Sequence, residues 1–367
     1  MGRHRLQRRL QYLVPAAGVL LLGVVWGRSL PTIAALAVTL VQIAVVATAV
    51  IHAEEIAHRV GEPFGTLVLA VAVTVIEVAL IVTLMVTEGE KAASLARDTV
   101  FAAVMICCNG IVGAALLLSA RRTRVVRFSE QGANALLGTV MTLAGLSLVI
   151  PRFTESTAGP TFSASQLTFA AVSSATVYGI FVFMQTGRHR WMFLGPEQGE
   201  VGIKEGNEEG NDEHGGDHSL LPRFVALVVS LGVVVGLAKT LSKPIEKGID
   251  WAGAPQSFVG VVIALMVLMP ESVAALRKAS RGEMQTSLNL ALGSALASIG
   301  LTIPAIAVAS IWLAGPINLG LGGKEITLLV LTAIVSTLTF GAGRATVLQA
   351  SHHLTLFAAF IFLAIVP

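Results

Sequence analysis

Charge is what this chain has least of. Asp, Glu, Lys and Arg make up 13% of its 367 residues, against about 25% in a soluble domain. Apolar residues make up 54% and mean hydropathy is +0.78, which excludes a water-soluble globular protein and indicates an integral membrane protein that crosses the bilayer many times. Cysteine is nearly missing as well. Cys107 and Cys108 are neighbours inside an apolar run, which excludes a long-range disulfide staple and reads as small core residues rather than a metal pair. The start, "MGRHRLQRRLQY", lacks a small-residue cleavage site after its apolar run, and Leu6 stands where an acylation signal wants Ser or Thr. Neither a removable signal nor a lipid anchor is expected. The net charge of +3 says nothing of nucleic acid, and no such partner is expected, because the basic residues sit in short loops between apolar runs.

About 20 apolar residues cross a bilayer. Eleven such runs are readable, at roughly 11–27, 31–52, 65–87, 99–120, 133–151, 164–185, 220–238, 256–276, 286–313, 325–342 and 345–366. With a cytoplasmic N-terminus, the inner loops hold 17 Lys and Arg and the outer loops hold 8. The positive-inside rule then puts the N-terminus in the cytoplasm and the C-terminus outside, in the inner (plasma) membrane. One inner loop differs: residues 187–219 hold eight acids and three histidines, His214 and His218 among them. Its polarity and glycine content suit a solvated linker. A cation-sensing strip is the other reading, although the spacing and turn glycine of an EF-hand are missing.

This loop divides the chain. If residues 1–30 are a basic N-terminus with an extra first helix, residues 31–186 and 220–367 each hold five spans, and an odd number of spans per repeat forces opposite orientations. The expected fold is all-α: one extra helix, two inverted five-helix repeats, and the acidic loop 187–219 between them. "VTVIEVAL" (73–80) aligns with "VLMPESVA" (267–274), each holding a lone acid, Glu77 or Glu271, in an apolar span. An ionised acid near the middle of a span costs on the order of 2.5–3.5 kcal/mol on insertion scales. No mid-span Lys or Arg is there to pair with either one, so both point to function. Pro270 precedes Glu271; proline removes a helical hydrogen bond, and the freed carbonyls are tolerated where they line a cavity. A carboxylate beside such carbonyls suits a hard cation.

The span after each acid carries polar groups among small residues: Asn109-Gly110 in "RDTVFAAVMICCNGIVGAALLL", and Asn289, Gly293, Ser294 and Ser298 in "MQTSLNLALGSALASIGLTIPAI". Small residues let helices approach closely, so the serines fit packing and ligation equally. The mid-membrane amide of Asn109 favours a functional role.

At these residues the chain resembles the cation/calcium antiporter superfamily, in its Ca2+/H+ exchanger branch. The resemblance rests on "HAEEIAHRVGEPFGTLVLAVAVTVIEVALI" (52–81), "ARDTVFAAVMICCNGIVG" (96–113) and "LMPESVAALRKASRGEMQTSLNLALGSALASIGLTIPA" (268–305), including Glu54-Glu55 as possible gating or regulatory residues. It implies opposed acids at a transport site, here Glu77 and Glu271, and alternating access by a sliding helix pair. Many members of the branch have a Gly-Asn pair at minus four and minus three from each acid; here minus three is Thr74 or Leu268, leaving fewer side-chain oxygens.

Two carboxylates facing each other at low dielectric repel when both are ionised, and two protons or one Ca2+ neutralise the pair. The expected activity is antiport of Ca2+ against H+, with Na+(K+)/H+ antiport on the same site as the alternative. The expected cargo ligands are Glu77, Glu271, Thr74, Asn109, Asn289, Ser294, Ser298 and the backbone at Pro270. The expected partners are inorganic cations, protons and lipid, with a homo-oligomer possible, and no resident cofactor is expected. An enzyme is not expected: "HAEEIAH" (52–58) brings His52, Glu55 and His58 together but is not HExxH. A channel is disfavoured by the paired acids.

Overall fold

The computed structural model describes residues 2–28, 30–60, 64–89, 93–187, 189–194, 220–251, 253–312 and 317–366. Thirteen α-helices occur among them: α1 Gly2–Val25, α2 Thr32–Val60, α3 Phe64–Glu88, α4 Leu95–Met105, α5 Val112–Thr123, α6 Glu130–Ala144, α7 Ala164–Thr186, α8 Leu220–Trp251, α9 Phe258–Val267, α10 Met269–Ser280, α11 Met284–Ala309, α12 Gly323–Phe340 and α13 Val347–Ile365. A π-helical turn, Ile106–Ile111, joins α4 to α5 without ending the span.

Eight described helices are long and apolar enough to cross a bilayer, or nine if α9 and α10 make one broken span. The expected count of eleven is therefore not reached by length and composition. The first and third expected spans appear as shorter apolar stretches, Gln11–Val25 and Val71–Val86. The seventh candidate span is Leu221–Leu241, and its helix α8 continues beyond it to Trp251, past Lys243 and Lys247. Lys239 there stands over the Trp26 ring, 5.3 Å from its centroid, joining the end of α1 to α8.

The two halves are interleaved. Helix α3 packs on α11, and the broken pair α9 and α10 packs on α4 and α5. Helices α2 and α8 lie against each other, with α1 on both. Among the described residues, two strand-like pairings tie the halves together. Strand β1 (Val126–Arg127) pairs antiparallel with β2 (Arg344–Ala345), and Thr161 bridges Asn318. Residues 126 and 161 flank the fifth span, so these links lie at opposite faces of the membrane. The sixth and last spans also start alike: Ser163 with Gln166, and Thr346 with Gln349, each form a capping box that satisfies exposed first-turn N–H groups.

Candidate functional site

The site begins with one unbroken helix and one broken one. Helix α3 runs straight through Thr74 and Glu77, which leaves Glu77 buried at 4% exposure. Its partner breaks. Pro270 has no N–H to give the Met266 carbonyl, and the chain bends by 57° between α9 and α10, at Leu268. Glu271 thereby falls in the first turn of α10. Its Oε2 is buried and has no protein hydrogen-bond partner among the described residues.

Helix α11 supplies the polar wall. Ser294, Ser298 and Thr302 recur every fourth residue and so share one helix face. The Ser298 hydroxyl donates to Glu77 Oε1 at 2.8 Å, and the Thr302 hydroxyl donates to Oε2 at 3.1 Å. A carboxylate this buried is tolerated because its oxygens find donors. Glu77, Glu271, Thr74, Ser294, Ser298 and Asn289 all line one cavity of about 450 Å³. The two acids belong to different halves of the chain, and Glu271 lies within electrostatic reach of both Glu77 and Glu54. Among the described residues no cluster of three His, Cys, Asp or Glu forms a metal-holding group. A cation here would need hydroxyls, carbonyls and water to reach the 6–8 oxygens that Ca2+ takes.

Several expected residues have other roles in the structure. Asn109 is fully buried but faces away from the cavity. Its amide donates to the Thr332 hydroxyl at 2.9 Å, and its Oδ1 lies 3.3 Å from His353 Nδ1, whose Nε2 is 3.2 Å from the Thr339 hydroxyl. Both ends of the Asn289 side chain are occupied: Nδ2 donates to the Phe193 carbonyl at 2.7 Å and Oδ1 accepts from Gln285 at 3.0 Å. Glu55 pairs with Arg223 at 2.9 Å across α2 and α8, and Glu54 is exposed. His52 is buried, its Nε2 3.1 Å from the Gln11 carbonyl and its ring 5.2 Å from that of Tyr12. His214 and His218 lie outside the described residues, as does the side chain of His58.

The profile of the family described as "Sodium/calcium exchanger protein" matches residues 31–187 and 223–366. The chain belongs to that family. This exchanger is 40% identical over 316 residues to the putative ionic transporter y4hA of Sinorhizobium fredii (strain NBRC 101917 / NGR234), covering 86% of this chain and 84% of that protein. It is 33% identical over 310 residues to the sodium-potassium/proton antiporter ChaA of Escherichia coli (strain K12), covering 84% and 82%. Its fold is that of native YfkE (TM-score 0.72, 16% identity, covering 97% of this chain and 100% of that one) and of the H+/Ca2+ exchanger CAX (TM-score 0.69, 14%, covering 98% and 89%).

Two residues near the acids, Thr302 behind Glu77 and Arg190 in the cavity lining, fall outside the expected set. Thr302 carried a signal, since it lies one turn beyond Ser298 on the same face. Arg190 did not. Its loop position reads as a topology charge, yet it lines the same cavity as the acids. Thr302→Val keeps the branched shape and removes only the hydroxyl. A lost hydrogen bond to a charged group is worth about 1.5–3 kcal/mol, so the half-saturation concentration for the cation should rise roughly tenfold or more, with a smaller change in maximal rate. Initial rates over a cation series check this; unchanged kinetics would make Thr302 a packing residue.

Proposed function

We propose that this chain is a secondary antiporter exchanging a cation for protons by alternating access, with Glu77 and Glu271 as the shared site. The observation that carries the reading is that two acids from different halves line one cavity. When both are ionised, the pair holds two negative charges at low dielectric, the costly state; two protons or one Ca2+ remove it. Rearrangement that is favourable only when the site is loaded couples the two fluxes.

The domain plan is part of the proposal. Residues 31–186 and 220–367 form inverted repeats around the loop 187–219. The reciprocal packing of α3 on α11 and of α9–α10 on α4–α5 supports it, as do the paired backbone links at opposite faces. The protein lies in the plasma membrane with the N-terminus in the cytoplasm, on the strength of the 17-to-8 bias of Lys and Arg. The cavity, bounded by Gln185, Thr186 and Arg190, then opens toward the cytoplasm.

A second reading, Na+ or K+ against H+, uses the same acids with a lower charge demand. It is favoured by the likeness to a sodium-potassium/proton antiporter and by the guanidinium at the cavity. Everted vesicles loaded with a pH-sensitive dye and challenged in turn with Ca2+, Na+ and K+ test both readings. Proton movement driven by at least one of these cations is expected, and silence toward all three would overturn the antiporter assignment.

Deleting residues 197–217, which lie outside every span, should leave exchange running and change the apparent cation affinity or the rate by no more than a few-fold. Loss of exchange in an inserted, well-folded deletion would give the acidic loop an essential part.

A further inference from the structure

Among the described residues, three side chains of the charged types line the main cavity, Glu77, Glu271 and Arg190, with the phenol of Tyr178 beside them. Neither charge pairing nor chain order requires the third. Arg190 begins a short 3-10 turn, Arg190–Phe193, beyond the end of α7, and the turn is held from several sides. The Ser129 hydroxyl donates to the Met192 carbonyl at 2.7 Å, and Asn289 donates to the Phe193 carbonyl at 2.7 Å. The Phe193 ring is buried edge-on to Phe181, 5.7 Å between centroids. Gly132 makes room, since a Cβ there would collide with the Met192 carbonyl oxygen. These contacts fix the base of Arg190 in the cavity wall, while its side chain is exposed at the mouth.

We infer that Arg190 is a specificity-determining residue of the transport site, biasing it toward monovalent over divalent cations. With both acids ionised, the three groups sum to one negative charge, which a single Na+ or K+ neutralises and which Ca2+ overshoots. The repulsion also scales with the charge of the incoming ion. Coulomb energy is proportional to the product of the charges, so a fixed positive charge opposes Ca2+ with twice the energy it directs at Na+ from the same position. Doubling an energy squares the corresponding factor in affinity. A guanidinium is charged throughout the working pH range, so this bias persists where the carboxylates titrate.

The inference rests on the antiporter reading. Its test is Arg190→Gln against Arg190→Lys and wild type, at alkaline pH and low ionic strength. Half-saturation concentrations for Na+, K+ and Ca2+ are measured with each ion as cargo, or as competitor of the transported ion. Taking a separation on the order of 10 Å and a water-like dielectric at the mouth, Arg190→Gln should lower the Na+ and K+ values roughly 2–5-fold and the Ca2+ value by about the square of that factor, roughly 4–25-fold. Arg190→Lys should stay close to wild type, and the shifts should shrink as salt shortens the Debye length. Equal factors for monovalent and divalent ions would mean that Arg190 only shapes the turn, and no shift would mean that its charge is not felt at the site; either overturns the inference while wild-type exchange stands. A wild type that moves protons with none of the three cations would instead remove the antiporter reading itself.

Discussion

Glu77→Gln and Glu271→Gln should each abolish cation-driven proton movement, with the protein still inserted in the membrane at near wild-type abundance. Glutamine keeps the size of the side chain, and its amide oxygen still accepts from Ser298 or Thr302 at position 77. The substitution therefore spares packing and removes charge. Removing one partner of a buried charged arrangement costs about 3–5 kcal/mol, which places the loss at roughly 150-fold to several thousand-fold in cation affinity. The lone remaining acid also has half the charge and half the proton capacity of the pair. Dye-loaded vesicles with matched protein levels measure the outcome. Transport at the wild-type rate by either variant would remove that acid from the site.

The second large effect should appear on acidification. At the proposed site a protonated pair cannot hold the cation, so protons and cation should compete for Glu77 and Glu271. The sign follows directly: as pH falls through the range where the pair titrates, apparent cation affinity weakens and the half-saturation concentration climbs. The limiting slope is about tenfold per pH unit for each proton displaced, hence roughly a hundredfold per unit when one cation displaces two protons and tenfold when it displaces one. The maximal rate should change much less. Initial rates over a cation series at several pH values give both quantities and report the stoichiometry through the slope. A constant half-saturation concentration with a collapsing maximal rate would place the controlling proton elsewhere, with the loop histidines His214 and His218 as the groups to substitute next.

The acids were legible in the sequence for a simple reason. A lone carboxylate in an apolar span has no cheap explanation, and two of them at matching places in two halves have fewer still. The break near Glu271 was legible too, because Pro270 cannot make the bond that continues the helix. Asn109 shows where such reading fails. The span 95–123 is buried over most of its surface, so no polar face reveals which side an amide points to. The π-helical turn at Ile106–Ile111 shifts the register of everything near it, and Asn109 turns toward Thr332 and His353. His353, on α13, meets it from the other side with its side chain fully buried. Asn289 sits at the cavity, as its position suggests, but it spends its amide holding a turn. That turn is itself the hardest feature to foresee. Hydropathy places this stretch in a loop and does not say that residues 190–194 reach the cavity that holds the acids.

The two backbone links between the halves have a mechanical consequence. One ties residues 126–127 to 344–345 at one face of the membrane, and the other ties 161 to 318 at the opposite face. A body pinned at two well-separated points resists both shear and rotation, so the helices bearing these pins behave as a single frame. Helices α2 and α8 carry neither pin and lie side by side with α1 across them. Of the unpinned helices, α2 and α8 pack chiefly on each other, on α1 and on α3, so under the alternating access proposed above they are the part able to slide along the frame. Such a stroke leaves both links intact, so it need break no strand pairing between the halves.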